Sequence, residues 1–149
     1  MLVVDTSAVV DALAGRPPDE RLLARLGADG DLHAPHLLDV ELLHALHGLV
    51  AAGHLSEDRA ADARSDFADL TIVRHEHGFL ADRIWELRHD LTADAAAFVV
   101  LSETLDVPLV TCDRRLAAAP GHRARVELFD GEWIGAAVSS GRRRLRRPR

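Results

Sequence analysis

Leu2-Val3-Val4-Asp5-Thr6-Ser7 and Val107-Pro108-Leu109-Val110-Thr111-Cys112-Asp113 are the two stretches that decide the fold. Each is a short apolar run that stops at an acid and hydroxyl side chains. Such a run is too short for a buried helix and reads as a buried strand, over Leu2–Val4 and Val107–Val110. In an open parallel sheet, functional sites form beyond the carboxyl ends of the strands. If these two strands lie side by side, Asp5 and Asp113 meet there despite their separation in sequence.

Outward from these strands, strand-like and helix-like segments alternate, which implies an α/β layer fold. A helix is expected over Ala8–Ala14, capped by Thr6 or Ser7 and ended by Gly15 and Pro17. A second fits Asp19–Leu26, followed by a possible strand at Leu32-His33-Ala34. His36–Ala52 carries Leu38, Leu42, Leu46 and Leu49 at helical spacing and stops at Gly53. Ser56 caps a helix reaching about Asp69, and Leu70–Val73 is a strand candidate. Phe79–Arg88 and the strongly apolar Leu91–Leu105 read as helices, the latter with Thr92 as N-cap. A short helix through Ala118 and a strand at Val126–Phe129 complete one domain, expected over residues 1–138. Residues 139–149 form a basic tail whose composition predicts disorder.

The 149 residues suit one domain, and a 48% apolar content suits a sizeable core. No apolar stretch approaches the roughly 20 residues of a membrane span, and the first residues lack a signal peptide's basic start. Cys112 is the single cysteine, which fits a reducing compartment and makes the cytoplasm the expected location. The net charge is −6, with 18 basic and 24 acidic residues. Six of the basic residues are the arginines of Arg142–Arg149; without them, 12 basic and 24 acidic residues leave the body at −12. Such a body meets a polyanion only through a metal ion or a local basic patch. There is no lysine, so any mechanism that needs one is removed. That argues against phosphotransfer domains of the receiver or haloacid-dehalogenase type, and Asp5-Thr6-Ser7 lacks the second Asp of the latter.

Two further acids join the strand-end pair. Glu41 has Leu37, Leu38 and Ala45 as helical neighbours, a costly setting for a carboxylate without a partner or a metal. Asp94 opens the apolar Leu91–Leu105 helix, where it complements the helix dipole. Carboxylates converging without His or Cys suit a hard cation such as Mg²⁺ or Mn²⁺. His75 with His77, and His44 with His47, stand outside any Cys/His set with zinc-site spacing.

Taken together and in order, these segments resemble the motifs of PIN-domain nucleases, closest to the VapC-type toxins. Val3-Val4-Asp5-Thr6-Ser7-Ala8 is similar to the first motif and His36-Leu37-Leu38-Asp39-Val40-Glu41 to the second. Leu91–Glu103 resembles the third, and Val110-Thr111-Cys112-Asp113-Arg114-Arg115-Leu116 the fourth. The resemblance implies a three-layer α/β/α sandwich with a mainly parallel sheet, hydrolysis of RNA phosphodiester bonds, and an acidic Mg²⁺ or Mn²⁺ site. It makes Asp5, Glu41, Asp94 and Asp113 the catalytic set, with Asp5, Asp94 and Asp113 as metal ligands. Thr6, Ser7 and Arg114 become candidates for substrate binding. A homodimer and a small antitoxin, occupying the groove with a basic side chain, are the implied partners.

The third motif departs from the family pattern. Ungapped alignment through Leu91-Thr92-Ala93 and Phe98-Val99 places the family's aspartate at Ala95, with Asp94 where a tyrosine is usual. One helical position turns a side chain by about 100°. Asp94 therefore substitutes only if the first turn of the helix is adjusted. The alternative is a weak or inert module of the same fold that binds RNA or antitoxin.

The arginine tail reads either as a solvated terminus of no consequence or as a tether of RNA to the acidic body, and the tether has a measurable consequence. Each contact with single-stranded nucleic acid adds roughly −0.7 to the log–log salt slope of binding. Truncation after Ser140 should flatten that slope by as much as about 4, from six contacts, and leave turnover at saturation intact. Filter binding across a salt series checks this; equal slopes would make the tail irrelevant to RNA.

Overall fold

Leu2, Val3 and Val4 are all fully buried, so both faces of the first strand are covered. The computed structural model, which describes residues 1–130, explains this by placing that strand at the centre of a sheet. The strands are β1 (Leu2–Val4), β2 (Leu32–Pro35), β3 (Ile72–His75), β4 (Leu109–Thr111) and β5 (Val126–Leu128). Their order is β3-β2-β1-β4-β5 and every pairing is parallel. The chain winds outward from β1 through β2 to β3, then crosses back to lay β4 on the other side of β1. The switch of winding direction thus falls between β1 and β4, the strands that lead to Asp5 and Asp113.

The helices are α1 (Thr6–Ala14), α2 (Glu20–Asp29), α3 (Leu37–Ala51), α4 (Glu57–Asp69), α5 (Ala81–Glu86), α6 (Ala93–Leu105) and α7 (Arg114–Ala118). The first helix packs on α2, α3 and α4, while α6 lies across β1, β2 and β4 with α5 beside it. Helices on both faces of a parallel sheet make the expected three-layer α/β/α sandwich. Seven consecutive residues of α6, Ala96–Ser102, are buried, which explains why its sequence is apolar all round. On α3 the predicted stripe Leu38, Leu42, Leu46 and Leu49 faces the core. Gly15 ends α1 where any Cβ would stand 2.4 Å from the Asp11 carbonyl oxygen. Among the described residues, no helix is long and apolar enough to cross a membrane.

Several boundaries differ from expectation, each for a local reason. β4 starts at Leu109 rather than Val107, because Pro108 has no N–H and the Val107 N–H donates to Ser102 of α6. β3 starts at Ile72 rather than Leu70, because the Leu70 N–H is used by the Phe67 carbonyl at the end of α4. Asp19 and Ser56 cap α2 and α4 with their side chains, but Thr92 makes no side-chain cap to α6. Nor do Thr6 and Ser7 cap α1, which starts at Thr6 itself with Asp5 in the N-cap position. The predicted basic tail over 139–149 lies outside the described residues.

Candidate active site

Asp5 leaves the sheet last. Its N–H still donates to Val110 of β4, while its carbonyl accepts the first N–H groups of α1, from Ala8 and Val9. The backbone therefore turns from strand to helix at this residue, and the carboxylate is held at the strand end, 7% exposed. Two hydroxyls donate to its Oδ2: Ser7 Oγ at 2.5 Å and Thr111 Oγ1 at 2.7 Å. Each hydroxyl has one proton, so with both given to an ionised Asp5 their 3.1 Å mutual approach carries none. Their oxygens instead accept backbone N–H groups, Cys112 into Ser7 at 2.9 Å and Asp113 into Thr111 at 3.0 Å. The turn after β4 is thereby fastened to the acid after β1.

Glu41, on the second turn of α3, accepts from Thr6 Oγ1 at 2.5 Å through its Oε2. The hydroxyls expected to cap α1 are thus committed to carboxylates of the site. Asp113 takes the N-cap of α7, where its Oδ1 accepts from the Arg115 N–H at 2.8 Å. Its charge nonetheless reaches Asp5 and pushes that acid upward. Arg114 lies on the surface beside the site in an ion pair with Asp130 at 2.6 Å. Both partners are largely exposed, so the pair is weak and a phosphate can exchange with it.

Asp94 is exposed in the first turn of α6 and makes no hydrogen bond to the other acids among the described residues. Its charge is still one of those that raise Glu41. Ala95 is partly buried and packs against the core. The four acids thus form an electrostatic chain: Asp113 acts on Asp5, and Asp5 and Asp94 act on Glu41. Thr111 is the site residue that sequence reading passed over. Its signal was a hydroxyl at a strand end two residues before an acid, the mirror of Ser7 two residues after Asp5.

Burial pushes the Asp5 carboxyl above its ordinary range; the Ser7 and Thr111 hydroxyls pull it back and Asp113 raises it again. Burial likewise raises Glu41, to about 7, with Thr6 opposing and Asp5 and Asp94 adding to the rise. Among the described residues no arginine or histidine forms an ion pair with Asp5, Glu41 or Asp94. Desolvated carboxylates without a cation are unfavourable unless they bind protons or a positive ion.

Hard carboxylate oxygens at a strand switch point fit Mg²⁺ or Mn²⁺. Among the described residues no three Asp, Glu, His or Cys side chains already converge as a full ligand set. Mg²⁺ commonly uses only one or two carboxylates and keeps several waters, so the donor set fits that ion class. Three of the nine histidines are engaged elsewhere: His33 Nδ1 and His75 Nε2 share a contact at 2.9 Å, and His77 Nε2 accepts the Leu37 N–H at 3.3 Å.

A raised carboxyl pKa has a definite sign in stability. Between about 4.5 and 7 the folded ion-free protein holds a proton on Glu41 that the unfolded chain has released. Stability from this residue is therefore present below that window and is lost as pH rises through it, by at most about 3 kcal/mol. His33 acts oppositely, since burial, followed by His75, lowers its pKa and costs stability as pH falls. Denaturant unfolding of wild type and Glu41→Gln in EDTA from pH 5 to 8 isolates the first effect. The stability difference should shift towards the variant as pH rises; a constant difference would contradict it.

The PIN domain family model matches residues 2–121 of this chain. Ribonuclease VapC1 of Mycobacterium tuberculosis (strain ATCC 25618 / H37Rv) is 43% identical over 127 residues, which cover 85% of this chain and 96% of that protein. Ribonuclease VapC12 of the same strain is 34% identical over 128 residues, covering 86% and 98%. Among solved structures, VapBC2 from Rickettsia felis, crystallised bound to a DNA fragment from its promoter, has a chain of the same fold. It matches with a TM-score of 0.64 over 87% of this chain and 98% of its own, at 13% identity. A family model that spans most of the residues, and relatives this similar over nearly their whole length, establish that the chain belongs to the PIN-domain family, among its VapC ribonucleases.

Proposed function

We propose that this chain is a metal-dependent ribonuclease that hydrolyses RNA phosphodiester bonds and acts as the toxin of a toxin–antitoxin pair. The observation that carries the reading is that Asp5 and Asp113 lie at the β1/β4 switch point with Glu41 tied to it through Thr6, and that among the described residues no arginine or histidine pairs with Asp5 or Glu41. Family membership adds the reaction class.

In this reading Asp5 and Asp113 hold Mg²⁺ or Mn²⁺, with Asp94 as third ligand in place of the family acid at position 95. A divalent ion there would neutralise phosphate charge and favour attack by water on phosphorus. Thr6 occupies Glu41 Oε2, which leaves Oε1 to take the proton of an attacking water. A carboxyl with a pKa near 7 is suited to that exchange at neutral pH. Ser7 and Thr111 oppose the rise that burial imposes on Asp5 and fix its direction, and Arg114 exchanges Asp130 for a substrate phosphate. The inert-module alternative has less in its favour, because relatives that match this chain over nearly their whole length are ribonucleases.

The partners are a second copy of the chain and a small antitoxin whose basic side chain competes for the acid cluster. Cys112, the single cysteine, is buried, and a chain with one thiol accords with the cytoplasm as the compartment. Light scattering of the protein alone and with its antitoxin reads both associations; a strict monomer at all micromolar concentrations would contradict the homodimer.

Purified protein should cleave RNA with Mn²⁺ and stop in EDTA, whereas cleavage unaffected by EDTA would rule out the mechanism. Glu41→Gln should cost about 10²–10⁴ in rate, and Asp5→Asn should abolish Mn²⁺-dependent cleavage. Asp94→Ala should reduce cleavage strongly, while Ala95→Asp adds crowded charge and helps little. If Asp94→Ala is silent and Ala95→Asp activates, Asp94 is not the third acid.

A further inference from the structure

Beside the acid cluster lies a cavity of about 350 Å³, lined by His77, Ile84, Trp85, Arg88, Leu91 and Ala93, among others. Two of its lining residues tie it to the elements that carry Asp94 and Glu41. Ala93 is the residue before Asp94, and His77 binds the N–H of Leu37, one helical turn before Glu41. That turn spans about 6 Å.

The walls are apolar and aromatic, yet cationic groups edge them. Trp85 is 68% exposed, and the Arg88 guanidinium lies over its ring at 4.9 Å from the centroid. Arg88 donates to the Trp85 carbonyl and has no acidic partner among the described residues. His77 accepts at Nε2, so its Nδ1 carries the proton and can donate. The wall is also held in place. Arg83 of α5 grips Glu103 of α6 through two bonds of 3.0 and 3.2 Å, and donates to the Gly121 carbonyl.

We infer that this cavity receives one unpaired nucleobase of the RNA, next to the phosphate addressed by the acids. The inference rests on the ribonuclease reading for the identity of the nucleic acid. An indole and a guanidinium plane are the surfaces on which unpaired bases stack, and every base offers such a face. The unpaired Arg88 charge supplies attraction to the backbone that the acidic cluster beside it cannot.

The test is binding of a single-stranded RNA oligonucleotide in EDTA, read by fluorescence anisotropy, without cleavage. Trp85→Ala should weaken binding about five- to a hundredfold, and Trp85→Phe should restore most of it. An oligonucleotide with abasic residues should bind wild type and Trp85→Ala equally, since only stacking is lost. In a Trp133→Phe background, where Trp85 is the sole indole, the normal oligonucleotide should quench its fluorescence and the abasic one should not. Trp85-dependent binding in a protein that cleaves nothing with Mn²⁺ would support the base pocket while defeating the nuclease reading. Normal RNA binding by Trp85→Ala overturns the inference, and so does an effect of that variant on antitoxin affinity alone.

Discussion

The cost of burying the Asp5 carboxylate is the constraint around which the rest of this molecule is arranged. The residue ends β1 and begins α1 in one step, at the place where the winding of the sheet reverses. Its 7% exposure denies it water, and no arginine among the described residues compensates it. Two hydroxyls from different segments, Ser7 and Thr111, supply the hydrogen bonds that water would have given. Because Thr111 and Ser7 also receive backbone N–H groups of the β4–α7 turn, placing Asp5 and placing Asp113 are one structural event.

The same arrangement sets how readily the cluster holds or releases protons. Hydroxyl donors favour ionised carboxylates, while burial and mutual repulsion oppose them, and Glu41 is left near neutrality at about 7. A stable protein without function would place an arginine here, as it does elsewhere. Arg83 on Glu103, Arg74 on Asp39 and Arg25 on Glu127 show that this chain readily pairs its acids. Among the described residues Asp5, Glu41 and Asp94 have no such partner, so a cation from outside would stabilise them.

Much of this was legible in the residues. Apolar runs stopping at acids gave the central strands, and the Leu38–Leu49 stripe gave α3 and with it the position of Glu41. What was hidden depended on competition for hydrogen bonds. Thr6 and Ser7 look like helix caps, but α1 begins at Thr6 with Asp5 in the N-cap position, so both lie inside its first turn and donate to Glu41 and Asp5. Thr111 was legible only as a hydroxyl at a strand end; that it meets Asp5 follows from the pairing of β4 with β1. The start of β4 was misplaced because Pro108 and the Ser102–Val107 contact use up the groups a strand would need. Asp94 and Ala95 differ by one helical position, and helical spacing alone does not say which of two adjacent residues turns towards a neighbouring helix.

The central claim is that these acids are built to receive a divalent cation, and thermal unfolding with added Mn²⁺ tests it without substrate. A ligand bound only by the folded state raises stability by RT ln(1 + [L]/Kd), about 2.7 kcal/mol at one hundred times Kd. Wild type should therefore gain thermal stability with Mn²⁺ at pH 7.5. Asp5→Asn, freed of a buried charge, should be at least as stable as wild type in EDTA yet gain nothing from the ion. Equal Mn²⁺ stabilisation of both proteins, or none in wild type, would contradict the account.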